Sequence, residues 1–586
     1  MKSLGYADKA WHKLFITKTE GKKIMKRKFR IMNIIAATMM CAVLLNACTA
    51  NSNTNSPTPS ESNTGSTNDT NDTKKDEPVV LTIVNSAGGT PNFPTGDPFW
   101  EDNPVAKELE EKLNIKLKWE VYSGAGKDKL NVVLASGEYP DIIMLSDPTK
   151  VISDKIAIPL NELIDLYGPD LKKKYGSALN MLKQSDGNIY HLTNSYLPEG
   201  ATPPGFGYSF QVRTDIYEAL GSPKLETSDD VYNYLKSVKE KYPKTSDGQT
   251  MYPMSGFNRN WGSPYYGMIA MAGSPADSKL YMGEGDSVKY WPKAPWAEEV
   301  FQFYNKLFRE GLIDPEAFTQ DYATWQKSKL YTARVASHIG GWNQTYDVLK
   351  TYTDAKLPNA EKMYFQNFVF KFPTGDKPAV FSASKKGAGA LIITDKAKNP
   401  EAAMKLLNYL TTEEGNFLAM NGPEGIQWEM ADGKPSLKKS YLDRWLAGEA
   451  QVNIEKETGM NHYSRLVGSD LGQTSWGTYW ILKDDPTATN NTRVQQRDEA
   501  LSPYWYDATT IGDLMAGADT DTLAKQQAVD KRLYENAFTV ILAKSDAEFQ
   551  TEFAKFVKEL DSAGAVEVEE YMTKMHQQYK KQLAGE

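Results

Sequence analysis

The sequence predicts an α/β fold organised in more than one lobe. Val79-Val80-Leu81-Thr82-Ile83-Val84 is an unbroken apolar, β-branched run, the pattern of a strand buried on both faces of a parallel sheet. Strand-like and helix-like periodicities then alternate as far as Leu145, which is the α/β signature with its right-handed crossovers. The part able to fold, about 500 residues, exceeds what one hydrophobic core organises, so at least two lobes are expected.

Each element has a local reason. After the first strand a Gly/Pro-rich loop runs to about Asp102. Asn103-Pro104 is an N-cap followed by proline at the first helical position, and Val105, Ala106, Leu109 and Leu113 form one face of the helix. Ile115, Leu117 and Trp119 alternate as a strand does. Leu130, Val133 and Leu134 mark the next helix, stopped by Gly137, and Asp141-Ile142-Ile143-Met144-Leu145 is a third buried strand. Asp186-Gly187-Asn188-Ile189-Tyr190 reads as a turn into a strand. The Gly/Pro-rich stretch 197–207 reads as a first passage between lobes, and Phe210-Gln211-Val212-Arg213 as the strand after it. Val231, Tyr234, Leu235 and Val238 predict a helix starting near Ser228 or Asp229. Val300, Phe303, Tyr304 and Leu307 predict another, closed by Gly311. Asn399-Pro400 repeats the cap-plus-proline signal before the stripe Ala403, Leu406, Leu407, Leu410. Thr411-Thr412-Glu413-Glu414 has capping-box spacing, and Phe549 to Leu583 reads as mostly helical.

The N-terminal region has its own logic. Ile31 to Leu45 is almost uninterrupted apolar, follows Lys26-Arg27-Lys28-Phe29-Arg30, and ends in Leu45-Asn46-Ala47-Cys48. About fifteen apolar residues fall short of the roughly twenty that span a bilayer and suit a signal-peptide core. The cysteine after Ala47 resembles the lipobox of bacterial lipoproteins, with Asn46 in place of the usual Ala, Ser or Thr. That resemblance implies a leader over 1–47 and a lipid attached to Cys48; residues 1–24 are too many before such an apolar run, which points to translation starting at Met25. An ordinary secretory signal with an incidental cysteine is the other reading. Residues 48–78, rich in Ser, Thr, Asn, Asp and Pro, bury too little apolar surface to offset their ordering entropy and read as a disordered tether.

Composition narrows function. The 1–47 leader carries ten Lys/Arg against two Asp/Glu, so its removal takes the formal net charge from −8 to −16. Such an acidic chain argues against nucleic acid as a partner. With Cys41 lost and Cys48 the anchor, no thiol remains for a disulfide, a zinc cluster or a nucleophile. The scattered His191, His338, His462 and His576 suggest neither a metal site nor a triad. No His-Glu-x-x-His, Gly-x-Ser-x-Gly or P-loop is present, and no cofactor is expected.

Six stretches taken in order carry a wider resemblance: LNVVLASGEYPDII (130–143), DGNIYHLTN (186–194), FREGLIDPEAFTQ (308–320), ARVASHIGGW (333–342), NPEAAMKLLNYLTTEEG (399–415) and NGPEGIQW (421–428). Together they resemble family 1 extracellular solute-binding proteins of ABC importers, nearest to the large lipoproteins of Gram-positive bacteria that serve oligosaccharide uptake. The resemblance covers residues 79–586. It implies a two-lobed periplasmic-binding-protein-like fold of type II, with hinge strands and discontinuous lobes. Lobe one would hold about 79–200 and 388–450, and lobe two about 205–385 and much of 451–586. It also implies hinge closure on a solute, a permease as partner, a monomer, and a place on the outer face of the cell membrane.

An oligosaccharide offers flat C–H patches to aromatic rings and hydroxyls to polar side chains. Trp342 is the leading candidate contact, because it matches the family's Gly-x-Trp turn. Trp261 and Asn258 lie in a polar loop, Trp100 in the loop after the first strand, Glu424 and Trp428 in a Gly-rich turn, and Trp476 in Thr474-Ser475-Trp476-Gly477. Arg213 is a candidate for the cleft or for a structural ion pair. Relatives often carry a calcium loop where this chain reads Lys244 to Thr250. Only Asp247 there is a carboxylate, so no calcium is expected. A secreted carbohydrate-active hydrolase or lyase is the main alternative, since a carboxylate pair cannot be read from sequence. A peptide-binding lipoprotein is the other.

Overall fold

The computed structural model describes residues 77–586 except 86–102, 121–125, 194, 202, 204–206, 259–263, 277, 346–347, 432–433, 447–448, 450, 461–468 and 471–495. Three parallel strands begin lobe one: β1 (Val79–Asn85), β2 (Ile115–Glu120) and β3 (Ile142–Leu145). β1 lies between the other two, with Leu81 opposite Leu117 and Ile83 opposite Ile142. Their side chains alternate between two apolar layers. Leu81, Ile83, Ile142 and Met144 pack on one face, and Val84, Ile143 and Leu145 on the other. This is why the runs are continuously apolar. Asp141 ties the sheet at its amino end, accepting from Thr82 N at 2.7 Å and Thr82 Oγ1 at 2.6 Å.

The first helix, Pro104–Leu113, forms as its cap signal predicts. Asn103 Oδ1 accepts from Ala106 N at 3.0 Å, and Val105 and Leu109 are buried against the sheet. Gly137, at φ +78°, follows the helix Gly126–Ser136.

The chain then enters lobe two and builds a three-stranded antiparallel sheet. β4 (Tyr208–Arg213) lies at its centre, flanked by β5 (Ser337–Gly341) and β6 (Phe365–Phe368). Phe210 and Val212 pack into a core with Val231, Leu235, Val300, Leu307 and the C-terminal residues Val529, Leu533, Phe556, Leu560 and Val568. The chain returns as β7 (Ala390–Ile393), antiparallel to β3, completing the order β7-β3-β1-β2. Two segments of the chain run side by side here: Leu197 N donates to Ser384 O, and Tyr208 N to Val380 O, both at 2.8 Å. Gly207 is required there, because it sits at φ +117° and a Cβ would lie 2.0 Å from Val380 O. The mixed α/β, two-lobed architecture is the predicted fold class.

Some local signals land one residue away from their prediction. The helix Ser228–Lys241 starts where predicted, and Thr227 caps it in a full capping box with Asp230. Asn399 makes no side-chain cap, although Pro400 starts its helix. Thr412, not Thr411, caps Glu413–Asn421, and its Oγ1 accepts from Gly415 N at 3.1 Å. Glu414 therefore cannot close the box and instead meets Lys112 at 2.6 Å. Thr412→Ala is expected to cost about 1 kcal/mol, the usual worth of such a cap, read from the shift in urea midpoint at constant m. Ile189 forms one isolated bridge to Lys183 rather than a strand. The C-terminal helical region starts earlier than Phe549, with helices Thr520–Ile541, Asp546–Ser562 and Ala565–Ala584.

Candidate functional site

β5 ends in Gly340-Gly341, and Trp342 opens the 3₁₀ turn Trp342–Thr345 directly after it. An extended segment runs alongside. Tyr252 bridges in parallel to Val335, and Ser255 N donates to Ser337 O at 3.0 Å. That register brings the exposed Asn258 to the same sheet end as Gly341 and Trp342. Asn258 N donates to Gln320 O at 2.8 Å, which fixes the end of the segment.

A buried polar frame holds this sheet end. Gln211, fully buried in central strand β4, donates from Nε2 to Gly340 O at 3.0 Å and to Gly341 O at 3.1 Å. Its Oε1 accepts from Thr345 Oγ1, so one amide grips both ends of the turn. His338, also fully buried, contacts Ser255 O through Nδ1 at 2.9 Å and the Gln344 side chain through Nε2 at 2.6 Å. Both ring nitrogens thus face oxygen atoms, Ser255 O and Gln344 Oε1, while burial lowers the His338 pKa. Gly340 fills the remaining space, since a Cβ there would lie 2.3 Å from both Gln344 Oε1 and His338 Nε2.

A second layer supports the first. Trp325 lies 4.8 Å from the His338 ring and donates from Nε1 to Ser255 Oγ at 3.1 Å. Ser255 Oγ donates to Asp314 Oδ2 at 2.7 Å, where Gln320 Nε2 at 3.0 Å and Lys329 Nζ at 2.6 Å converge. The frame belongs to no motif. Its one sequence signal is polar Gln211 and His338 standing among apolar neighbours in strands.

The other predicted residues fare differently. Arg213 is a correction. It sits at the far end of β4, roughly 17 Å along the strand from Tyr208, which pairs with Gly341. Its guanidinium is 5% exposed, pairs with Asp215 at 2.7 and 3.1 Å, and donates to Ala333 O at 2.7 Å, which is the structural ion pair. Trp428 is also a correction. It is 8% exposed, its ring meets Phe417 edge-on at 4.9 Å, and Nε1 donates to Gly422 O at 2.9 Å, so it packs. Glu424 is exposed and accepts from Met430 N at 3.1 Å within its own turn. Trp100, Trp261, Trp476 and Cys48 lie outside the described residues.

In lobe one, β1, β2 and β3 share a carboxyl end at Asn85, Glu120 and Leu145, where open α/β sheets bind ligands. Among the described residues no group of three or more His, Cys, Asp or Glu could hold a metal ion.

This chain has relatives with the same architecture. It is 23% identical over 506 residues to the fructooligosaccharide ABC transporter substrate-binding protein FusA of Streptococcus pneumoniae, covering 81% of this chain and 87% of that one. It is 24% identical over 353 residues to the lipoprotein LipO of Bacillus subtilis, covering 57% of this chain and 65% of that one. An extracellular solute-binding protein from Bifidobacterium longum subsp. infantis superposes with a TM-score of 0.62 at 19% identity, over 86% of this chain and 98% of the other. The sequence profile of bacterial extracellular solute-binding proteins matches residues 100–417, more than half of the chain. The chain therefore belongs to the bacterial extracellular solute-binding protein family.

Proposed function

We propose that this protein captures an oligosaccharide between its lobes and passes it, unchanged, to the transmembrane subunits of an ABC importer. The observation that carries the reading is the Gly340-Gly341-Trp342 turn, set rigidly on the buried Gln211–His338 frame. A sugar-binding ring gains most when its backbone is fixed beforehand, because less entropy is lost on binding. FusA, by its name, handles fructooligosaccharides, and LipO is a lipoprotein. In this reading Cys48 carries the lipid, the 48–78 tether holds a monomeric receptor at the outer membrane face, and the segments paired at Leu197–Ser384 and Tyr208–Val380 act as hinges. Trp342, Asn258, Trp261, Trp100, Trp476 and Glu424 remain the proposed ligand contacts.

Calorimetry against a glycan panel, with product analysis of the same mixtures, tests the proposal. Stoichiometric binding without cleavage is expected, and cleavage at catalytic rates would refute it. Trp342→Ala should weaken the bound glycan by about 2 kcal/mol, roughly thirtyfold. Full affinity in that variant would remove the turn from the site. Calcium is not part of the scheme. Asp247 spends Oδ1 on Thr245 and Oδ2 on Gln249 Nε2 at 2.7 Å. Millimolar calcium is expected to leave Tm unchanged, and a rise that Asp247→Ala abolishes would overturn this.

A further inference from the structure

One short helix of the chain is shared between two cores. Ala178–Leu182 turns Leu179 and Leu182 into the apolar core on the sheet of β1, β2 and β3. Met181, on the opposite side of the same helix, belongs instead to the core of the sheet of β4, β5 and β6. It is 6% exposed, in one cluster with Met572 and Tyr579, and the C-terminal helix Ala565–Ala584 packs against Ala178–Leu182. Met575, Tyr579 and Leu583 recur every four residues and so present one apolar stripe along the last turns of that helix.

The two helices are held by different parts of the molecule. The C-terminal helix is tied along its length to segments of lobe two. Buried Glu569 accepts from Tyr290 N and Lys293 Nζ, both at 3.1 Å, and Thr573 Oγ1 accepts from Val288 N at 2.9 Å. Tyr571 donates to Ala516 O at 2.9 Å, and Tyr579 to Asp513 O at 3.1 Å. Helix 178–182 is pinned at its start. Ser177 Oγ donates to Glu199 Oε2 at 2.9 Å, and Lys385 Nζ donates to Glu199 Oε1 at 3.0 Å. That pin lies beside the paired Leu197 and Ser384, whereas Met181 stands about 6 Å further along the helix.

Turning one lobe against the other must slide or unseat Met181, because the helix that forms its seat moves with lobe two and Met181 moves with lobe one. Packed cores shift between discrete arrangements rather than deforming smoothly. Methionine suits such a contact, since its unbranched thioether adapts to more than one packing. We propose that the seating of Met181 against the C-terminal helix is a brace that sets the angle between the lobes, and through it the affinity for ligand. Loss of the brace changes the population of the binding-competent angle, which alters affinity with no contact to the ligand. The effect on affinity rests on the binding function proposed above, and the effect on the angle does not.

The test uses the full chain carrying Cys41→Ser and Cys48→Ser, spin-labelled in pairs at cysteines introduced in place of exposed lysines. Lys173→Cys with Lys531→Cys spans the two lobes, and Lys241→Cys with Lys531→Cys lies within lobe two. Double electron–electron resonance reads each distance, and calorimetry reads affinity for the tightest-binding glycan of the panel above. Met181→Ala and Leu583→Ala should each move the inter-lobe distance by about 2 Å, the scale of helix shifts at interfaces, with the distance within lobe two unchanged. Affinity should move at least about fivefold, and Met181→Leu, which keeps the volume, should match the parent in both readouts. An unmoved inter-lobe distance in both variants would overturn the proposal. So would an equal shift of the pair within lobe two, or a moved inter-lobe distance with affinity held within about twofold. If Met181→Ala does not fold, Leu583→Ala, at the half-buried end of the helix, decides alone. If no glycan binds, the function proposed above falls, and the inter-lobe distance still decides the brace.

Discussion

Lys329→Met is expected to destabilise the protein by about 3–5 kcal/mol, the cost of orphaning a buried charge. Lys329 is 3% exposed, in a π-type turn at Gln326–Leu330, and Asp314 is fully buried. Its ammonium meets Asp314 Oδ2 at 2.6 Å and Glu316 Oε2 at 2.7 Å, and lies 4.7 Å from the Tyr252 ring centroid. Without the ammonium, the Asp314 carboxylate keeps hydrogen bonds from Ser255, Gln320 and Glu316 N but has no counter-charge. The damage should reach the ligand site, since Asp314 holds Ser255 and Gln320, and these position the segment ending at Asn258. Urea unfolding and glycan affinity, measured together, check both effects. Lys329→Met/Asp314→Leu, which removes both charges, should recover most of the stability but not the affinity. A loss below about 1 kcal/mol in the single variant would show that the pair contributes little.

What could be read beforehand was what local chemistry determines. The β1 and β3 runs, the Asn103-Pro104 start and the apolar stripe at 403–410 all follow from periodicity and backbone capping, which act within a few residues. The cap that slipped, from Thr411 to Thr412, did so because two neighbouring hydroxyls compete for one role, and packing selects between them. Arg213 was placed in the right strand. Which end of that strand lies beside Gly341 depends on pairing with β5, more than 120 residues away in sequence. Trp428 has the flanking glycines of a binding turn, yet Phe417 on the preceding helix claims its ring. The Gln211–His338 frame was hidden for the same reason. It joins strands through contacts that no spacing rule encodes.

Acidification offers the second large effect. Between pH 6.5 and about 4, stability is expected to fall by about 3 kcal/mol, through His191 first. His191 is 8% exposed, and among the described residues its Nδ1 has no hydrogen-bond partner. Burial, with Lys386 adding repulsion, lowers its pKa from 6.5 to about 4. The unfolded chain therefore takes up this proton near pH 6.5, whereas the folded protein refuses it until about pH 4. Over that window the unfolded state binds more protons, so stability rises with pH, is fully present above 6.5 and is lost on the way down to 4. His338 acts in the same direction, because burial also lowers its pKa. Carboxylates held low by partners, such as Glu414 beside Lys112, lose their contribution only at lower pH, which separates the two causes. Chemical denaturation at half-unit steps from pH 7.5 to 4 should give a slope that approaches one proton from His191 and that is smaller by about that amount in His191→Gln. A flat profile, or an unchanged slope in that variant, would show that water reaches the His191 ring. With the slopes as expected, acid would loosen first the segment around His191, next to the isolated bridge between Leu192 and Leu391.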